Sequence, residues 1–262
     1  MAYIDVHCHL TGEDYDDVGG VDAVVRRAVD SGVERIICSG YDVDTSMEAR
    51  ALAERHKEVY FSAGFHPSEL KKWQDGDLER LRELGSHEKC VAVGEIGLDY
   101  HFDDNPSKEE QAEKFVLQMR LADELGLPIV IHSRDSAQDT LTILRENAHL
   151  LKKGGLLHCY SYSAEMMRDF SALGLYYSFG GPCTFKNANK VQDCVRCVPA
   201  TRILTETDCP YLSPVPLRGQ FPNTPANVVH VAKQMIQLRQ ADEKEFENQV
   251  LDNAKRLFFK MK

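Results

Sequence analysis

The sequence lacks several features that would each assign it to a class of protein. No apolar run approaches the length of a membrane-spanning helix, so we expect no membrane partner. The N-terminus has no basic region followed by an apolar one, and no secretory signal is predicted. No glycine-rich loop of the GxGxxG or P-loop type follows a predicted strand, which disfavours an open nucleotide-binding sheet. Linkers and internal repeats are missing too, so we predict one domain over residues 1–262.

Positive charge is also scarce. The chain has 31 lysines and arginines against 41 aspartates and glutamates, a net charge of −10. A protein that wraps a nucleic-acid duplex needs a broad positive field, so the sequence excludes that class but not a nucleic-acid end that enters a local pocket. Eight scattered cysteines without a secretory signal predict reduced thiols and a cytoplasmic location, with the nucleus as second candidate. The single CxxC, Cys194 to Cys197, lacks the second ligand pair of a zinc finger.

Short β-branched or aromatic runs alternate with helical patterns along the chain. The predicted strands are 4–9, 34–39, 59–64, 90–96, 128–132, 155–159, 175–179 and 202–205. Helical spacing marks 21–31, 107–126, 223–240 and 242–260, and Ser107 with Glu110 forms a capping-box pattern. Strand–helix alternation predicts a parallel sheet, and eight units at this length favour an α/β fold of the closed (β/α)8 TIM-type barrel class.

Polar residues cluster where these strands end, which is where such a barrel places its active site. Five of the ten histidines lie there, together with three carboxylates and an arginine: His7, His9, His66, Glu95, His132, Arg134, His158, Glu206 and Asp208. A buried polar group without a partner costs about 1–3 kcal/mol, so a converging set of this kind needs something to satisfy it. A divalent metal ion does so, and we therefore predict a metal centre.

The spacing of these residues fits that prediction. Residues two apart on a strand face the same side, so His7 and His9 can bind one ion while Cys8 points away and is not a predicted ligand. A carboxylate at Glu95, between this pair and the later histidines, can bridge two metals. Two bridged ions can activate a water molecule and hold a phosphoryl group between them.

Longer motifs recur from residue 4 to the last predicted helix. They are the DxHxH pattern of strand 1 and the strings GFHP, VGEIGLDY, LPIVIHSRDS, LHCYS, TFKNA and LTETDCPYLSPVPLRG. Together they resemble the motifs of the TatD deoxyribonuclease family, and within it those of a eukaryotic subgroup. Two strings, HCYSY and SFGG, depart from the common forms HCFSG and SFSG. Neither change removes a ligand, and both fall where substrate contacts are expected.

The resemblance implies a metal-dependent nuclease that cleaves phosphodiester bonds of DNA, typically 3′ to 5′ on single strands. It also implies two divalent ions, for which zinc, manganese and magnesium are the candidates. By motif, the ligands of the first ion are His7, His9, Glu95 and Asp208. Those of the second are Glu95, His132 and His158. The expected partner is the end of a single-stranded DNA, and we expect a monomer.

The catalytic role falls to Asp208 with Glu95, because Asp208 is placed to orient and deprotonate the attacking water. Glu206 either supports the ligands from behind or forms a structural salt bridge. Four residues are candidates for binding phosphate: His66, Arg134, Lys186 and Arg218. For His66 the alternative is a turn held with Pro67, and for Arg134 an ion pair with Asp99 or Asp135. Three tyrosines either stack on bases or pack in the rim: Tyr100, Tyr160 and Tyr211.

Two rival functions remain at this stage. The first is an amidohydrolase-type enzyme acting on a small phosphoester or amide, which would share the same metal ligands. Many such enzymes bridge their metals with a carboxylated lysine at the end of strand 4, where this chain has Glu95, and this favours the nuclease. The second is a scaffold without activity, which would have no use for so many ligands.

Overall fold

Eight parallel strands form a barrel with helices on its outside, in strand order β1 to β8. The computed structural model describes residues 3–261. The strands are β1 Tyr3–Cys8, β2 Val33–Ser39, β3 Val59–Ala63, β4 Cys90–Asp99, β5 Ile129–Arg134, β6 Gly155–Leu157, β7 Tyr176–Phe179 and β8 Ile203–Thr205. The α-helices are α1 Gly20–Asp30, α2 Val43–Arg55, α3 Asp77–Gly85, α4 Lys108–Leu125, α5 Ala137–Glu146, α6 Ala164–Ser171, α7 Asn189–Cys197, α8 Val228–Arg239 and α9 Glu243–Leu257. The predicted TIM-type fold is confirmed.

The barrel closes between β1 and the segment that follows β8. The backbone amide of Asp208 donates to the carbonyl of His7 at 3.0 Å, and the amide of His9 donates to the carbonyl of Cys209 at 2.7 Å. These two hydrogen bonds hold side by side the two segments that carry DxHxH and Glu206–Asp208. Barrel closure therefore brings residues 200 positions apart in the sequence to one place.

Helix α4 has the predicted ends, but several other boundaries differ. The hydroxyl of Ser107 accepts from the amide of Glu110, and Gly126 ends the helix with a left-handed φ of 63°. Helix α8 begins at Val228, five residues later than predicted, because Asn223 is buried in the loop before it. The Asn223 side chain donates to the carbonyls of Thr207 and Tyr211. Strand β4 extends to residue 99, β5 extends to residue 134, and β6 ends at residue 157.

Glycines let β4 approach β5 closely, which places Glu95 at the centre of the barrel mouth. The barrel mouth is the end of the barrel where the C-terminal ends of the strands meet. A β-carbon on Gly94 would lie 2.6 Å from Cβ of Val130. A β-carbon on Gly97, whose φ is 142°, would overlap the carbonyl oxygen of His132. The glycines of the VGEIGLDY string therefore serve the approach of Glu95 to His132.

We expect Gly97→Ala to lower the free energy of unfolding by about 2 kcal/mol or more, since overpacking is combined with an unfavourable φ. Urea denaturation measures this change. Gly180→Ala is the matched control, because Gly180 has a φ of −116° and its β-carbon would meet no atom closer than 3.4 Å. Equal stability of the two variants would contradict the assignment of a steric role to Gly97.

Candidate metal centre

Glu95 lies at the centre of the barrel mouth, between two pairs of histidines. Its Oε2 atom is 3.2 Å from Nε2 of His7 and 3.5 Å from Nε2 of His9. Its Oε1 atom is 2.7 Å from Nδ1 of His132 and 2.8 Å from Nε2 of His158. The two carboxylate oxygens thus face different histidine pairs, which is the arrangement that a bridging ligand requires.

Asp208 completes the group around His7 and His9. Its Oδ1 atom is 3.7 Å from Nε2 of His7 and 3.6 Å from Nε2 of His9. The side chain of Asp208 is 16% exposed, whereas that of Glu95 is 3% exposed. Asp208 is therefore the carboxylate of this group that water and substrate can reach.

The residues fit divalent metal ions. Within residues 3–261, the buried Nε2 of His7 has no partner in hydrogen-bonding geometry, although Oε2 of Glu95 lies 3.2 Å away. Ligands about 2.1 Å from a tetrahedral ion lie about 3.4 Å apart. The distances from Nε2 of His7 and of His9 to the oxygens of Glu95 and Asp208, 3.2 to 3.7 Å, are close to that value. A second compact set consists of Glu95, His132 and His158. Imidazole and carboxylate donors together suit zinc and manganese, and carboxylates suit magnesium.

The electrostatics favour the metal-binding forms of the two carboxylates and of His7. Burial raises the pKa of Glu95, but the surrounding histidines, with His158 first, hold the pKa well below its usual value. Burial opposes ionisation of Asp208 too, yet a hydrogen bond from His9 lowers its pKa overall. Burial, reinforced by His158, lowers the pKa of His7 to about 4. Both carboxylates are therefore negative and His7 is neutral. Burial lowers the pKa of His9 and of His132, but hydrogen bonds to Asp208 and to Asp99 raise each to about 9, so metal binding there displaces a proton.

Ser39 orients both histidines of β1, and the sequence analysis missed it. Nδ1 of His9 lies 2.9 Å from the Ser39 carbonyl oxygen and donates to it. Nδ1 of His7 lies 3.0 Å from the Ser39 hydroxyl. Engaging both Nδ1 atoms leaves the Nε2 atoms for the ion. The available signal was a serine that ends the apolar run of β2, on the strand next to the DxHxH motif.

Asp99 orients the ring of His132, as Ser39 orients the two histidines of β1. Its Oδ2 atom accepts from Nε2 of His132 at 2.9 Å, which turns Nδ1 towards Glu95. From the sequence, Asp99 is expected only as an ion-pair partner of Arg134. Instead, the guanidinium of Arg134 lies over the ring of Phe102, 5.2 Å from its centroid. Asp99 is four residues after Glu95 on the same strand, and that even spacing was the signal for its role.

We expect Asp99→Asn to weaken metal binding about 10- to 100-fold, because an amide nitrogen would face the Nε2–H of His132. The variant keeps the size of the side chain, and its remaining oxygen can still accept from the amide of His101, as Asp99 Oδ1 does. Titration of the metal-free protein with Mn²⁺ measures the affinity. Asp135→Asn is the control, because Asp135 is exposed and contacts His101. Equal affinities of the two variants would contradict the role of Asp99.

His66 is part of the turn and also faces the site. Its Nδ1 atom accepts from the amide of Ser68 at 3.1 Å and caps the short 3-10 helix Pro67–Lys72. With Nδ1 engaged as an acceptor, the proton of the neutral ring lies on Nε2, which is 3.5 Å from Oε1 of Glu95. Burial, together with His132, lowers the pKa of His66 to about 3, so the ring is neutral. His66 therefore presents an N–H donor to the mouth.

The other phosphate candidates are exposed: Arg134 is the last residue of β5, and Lys186 and Arg218 lie on loops. The guanidinium of Arg218 lies 4.2 Å from the ring centroid of Phe185. Of the three tyrosines, Tyr160 is only 3% exposed and packs edge-on against Tyr177, so it cannot stack on a base. Tyr100 donates its hydroxyl proton to Asp139, and Tyr211 is 57% exposed.

Glu206 is fully buried behind the histidines. Its carboxylate accepts from the amide of Cys159 at 2.7 Å and from the hydroxyl of Ser178. Within residues 3–261 its one ion-pair contact is with Nδ1 of His158 at 3.9 Å, so a salt bridge to lysine or arginine is not formed there. Burial raises the pKa of Glu206 to about 7. Glu206 thus fixes the loop that carries His158.

The barrel and the metal-binding groups at its mouth define the chain as a metal-dependent hydrolase. It belongs to the family described as TatD related DNase, whose model matches residues 4–259. The chain is 43% identical over 254 residues to the metal-dependent hydrolase YabD of Bacillus subtilis, covering 97% of this chain and 98% of that protein.

Two further relatives carry the TatD name. The 3'-5' ssDNA/RNA exonuclease TatD of Cronobacter sakazakii is 33% identical over 261 residues, covering 98% of this chain and 97% of that protein. The crystal structure of the TatD homologue YjjV from Escherichia coli superposes with a TM-score of 0.91 at 32% identity, covering 98% of both chains. The resemblance to the family is thereby confirmed. Within residues 3–261, no helix is long and apolar enough to cross a membrane.

Proposed function

We propose that the protein hydrolyses phosphodiester bonds of single-stranded DNA, removing nucleotides from the 3′ end. The observation that carries the proposal is the position of Glu95 between the two histidine pairs, with Asp208 beside the first of them. Membership of the TatD family supports the nuclease chemistry. The name of the 33% identical relative, a 3'-5' ssDNA/RNA exonuclease, supports the polarity and the strand type.

The first ion would be held by His7, His9, Glu95 and Asp208, and the second by Glu95, His132 and His158. When bound, the ions would activate water and neutralise negative charge on the phosphate oxygens. Asp208 orients the attacking water and accepts its proton, because its carboxylate is ionised and accessible. Glu95 is too deeply buried for that role. It holds the two histidine pairs in position relative to each other.

The substrate's phosphate is positioned by donors that line the mouth. The Nε2–H of His66 points at the site from the turn after β3 and donates to a phosphate oxygen. The sugar-phosphate backbone of the DNA, further from the scissile bond, is contacted by Arg134, Lys186 and Arg218. With a net charge of −10, the chain attracts a nucleic acid only where such cations are concentrated, which suits recognition of a strand end.

We expect the protein to degrade a short single-stranded oligodeoxynucleotide in Mg²⁺, Mn²⁺ or Zn²⁺ and to lose all activity in a chelator. Removing the ions takes away the activation of water, so the loss should be complete and should reverse when metal is returned. Gel analysis of 5′-labelled DNA shows a ladder that shortens from the 3′ end, and 3′-labelled DNA loses its label in the first step. Turnover of a small phosphoester or a cyclic amide, with no cleavage of DNA, would contradict the proposal.

A further inference from the structure

Exposed apolar side chains are concentrated in one loop at the barrel mouth. Of the eight exposed large hydrophobic residues in the part of the chain that the structure describes, four lie in residues 209–223, which we call the β8 loop. They are Tyr211 at 57%, Leu212 at 38%, Val215 at 45% and Phe221 at 60% exposure. Exposed apolar side chains grouped in this way are typical of a binding surface.

The β8 loop lies directly beside the metal centre. It follows Asp208 in the chain, and the amide of Tyr211 donates to the carbonyl of Asp208 at 3.1 Å. The ring of Tyr211 is therefore carried by the same turn that positions a metal ligand. The ring centroids of Tyr211 and Phe221 are 6.4 Å apart, with 44° between their planes.

The loop is held in place by hydrogen bonds, although its side chains are exposed. Asn223, which is fully buried, donates to the carbonyl of Tyr211 at 2.7 Å and to that of Thr207 at 3.2 Å. The hydroxyl of Ser213 donates to the carbonyl of Gln220 at 2.6 Å across the loop. A fixed backbone presents the aromatic rings to a ligand at little cost in conformational entropy.

Cations lie on the β8 loop itself and on the loop that follows β7. Arg218 belongs to the β8 loop, and its guanidinium is stacked on Phe185, so its charge is held at the surface in a fixed position. Lys186, next in the chain to Phe185, is exposed. Exposed aromatic faces with neighbouring cations form the surface that binds single-stranded nucleic acid, because bases stack on the rings and phosphates pair with the charges.

We propose that Tyr211 and Phe221 form a stacking platform for unpaired bases of the strand whose end lies in the metal centre, with Arg218 contacting the phosphates between them. This inference rests on the proposed function and deepens it. A base in a duplex is stacked on its neighbours and unavailable to the platform. The platform thereby selects single-stranded ends over paired ones.

Binding of a fluorescent oligothymidylate with phosphorothioate linkages, which resist hydrolysis, tests the platform by fluorescence anisotropy. We expect Tyr211→Ala and Phe221→Ala each to raise Kd about fivefold or more, the effect of losing one stacked base. Placing two abasic nucleotides at the 3′ end should cause a similar loss in the wild type and little further loss in the double variant. Phe259→Ala is the matched control, because Phe259 is 48% exposed and its ring contacts Lys153. Lys153 lies just before β6, at the end of the barrel opposite the mouth.

Unchanged Kd values for both variants would overturn the platform. So would a loss that is just as large with the abasic oligonucleotide, because a contact to bases cannot weaken when the bases are absent. Failure of the proposed function gives a different result: the wild type then leaves the unmodified oligothymidylate intact in every metal. If the wild type cleaves DNA and the variants have the same KM as the wild type, the platform is refuted and the proposed function stands.

Discussion

Replacing Glu95 by alanine is expected to lower kcat for DNA cleavage by at least about a thousandfold and to remove most of the bound metal. Both histidine pairs face this one carboxylate, at distances of 2.7 to 3.5 Å. Its removal leaves two buried imidazoles, of His7 and His158, and two half-buried ones, of His9 and His132, without their shared negative partner. Because each proposed ion shares Glu95, neither site keeps its ligand set.

The measurements are single-turnover cleavage of labelled DNA and metal content by mass spectrometry. Glu83→Ala is the control, because Glu83 is exposed on α3. Glu95→Gln keeps the side-chain volume and separates loss of charge from loss of packing. A Glu95→Ala protein that is folded, metal-loaded and active would refute the role of Glu95.

The second large effect is expected for Asp208→Asn, which should lower kcat by about 10² to 10⁴-fold. The amide keeps the shape of the side chain, but it cannot accept the proton of the attacking water and would be a weaker ligand of the first ion. The affinity for an uncleavable oligonucleotide should change little, because the proposed base and phosphate contacts lie elsewhere. The loss therefore appears in kcat rather than in KM.

Glu206→Gln provides the comparison for Asp208. Glu206 is two residues away but is fully buried and holds the amide of Cys159, so it cannot reach the substrate. We expect its variant to lose less than about tenfold in kcat through small displacements of His158. A larger loss for Glu206→Gln than for Asp208→Asn would transfer the role of base to Glu206.

The sequence predicts the barrel and the ligands proposed for the first ion, because both can be read from local spacing. Alternating strands and helices predict the fold, and the positions of His7, His9, Glu95 and Asp208 at strand ends predict their convergence. The family resemblance adds the division of ligands between two ions. The monomeric state and the cellular location stay predictions.

Contacts between strands could not be predicted in the same way. The part played by Ser39 depends on the packing of β2 against β1, and that of Asp99 on the hydrogen bond to His132 across β4 and β5. Helical spacing also extended α8 back to residue 223, because the pattern carries no information on the tertiary hydrogen bonds of Asn223. The sequence leaves base stacking by Tyr160 open, because its burial depends on contacts with β7 that local spacing does not predict.

Diffraction from crystals grown with Mn²⁺ tests the central claim most directly, because anomalous scattering locates the ions independently of the protein coordinates. We expect two anomalous peaks in the barrel mouth, one on each side of Glu95. The first lies among His7, His9 and Asp208, and the second lies between His132 and His158. Peaks that leave Glu95 without a metal, or ions bound only outside this group, would contradict it.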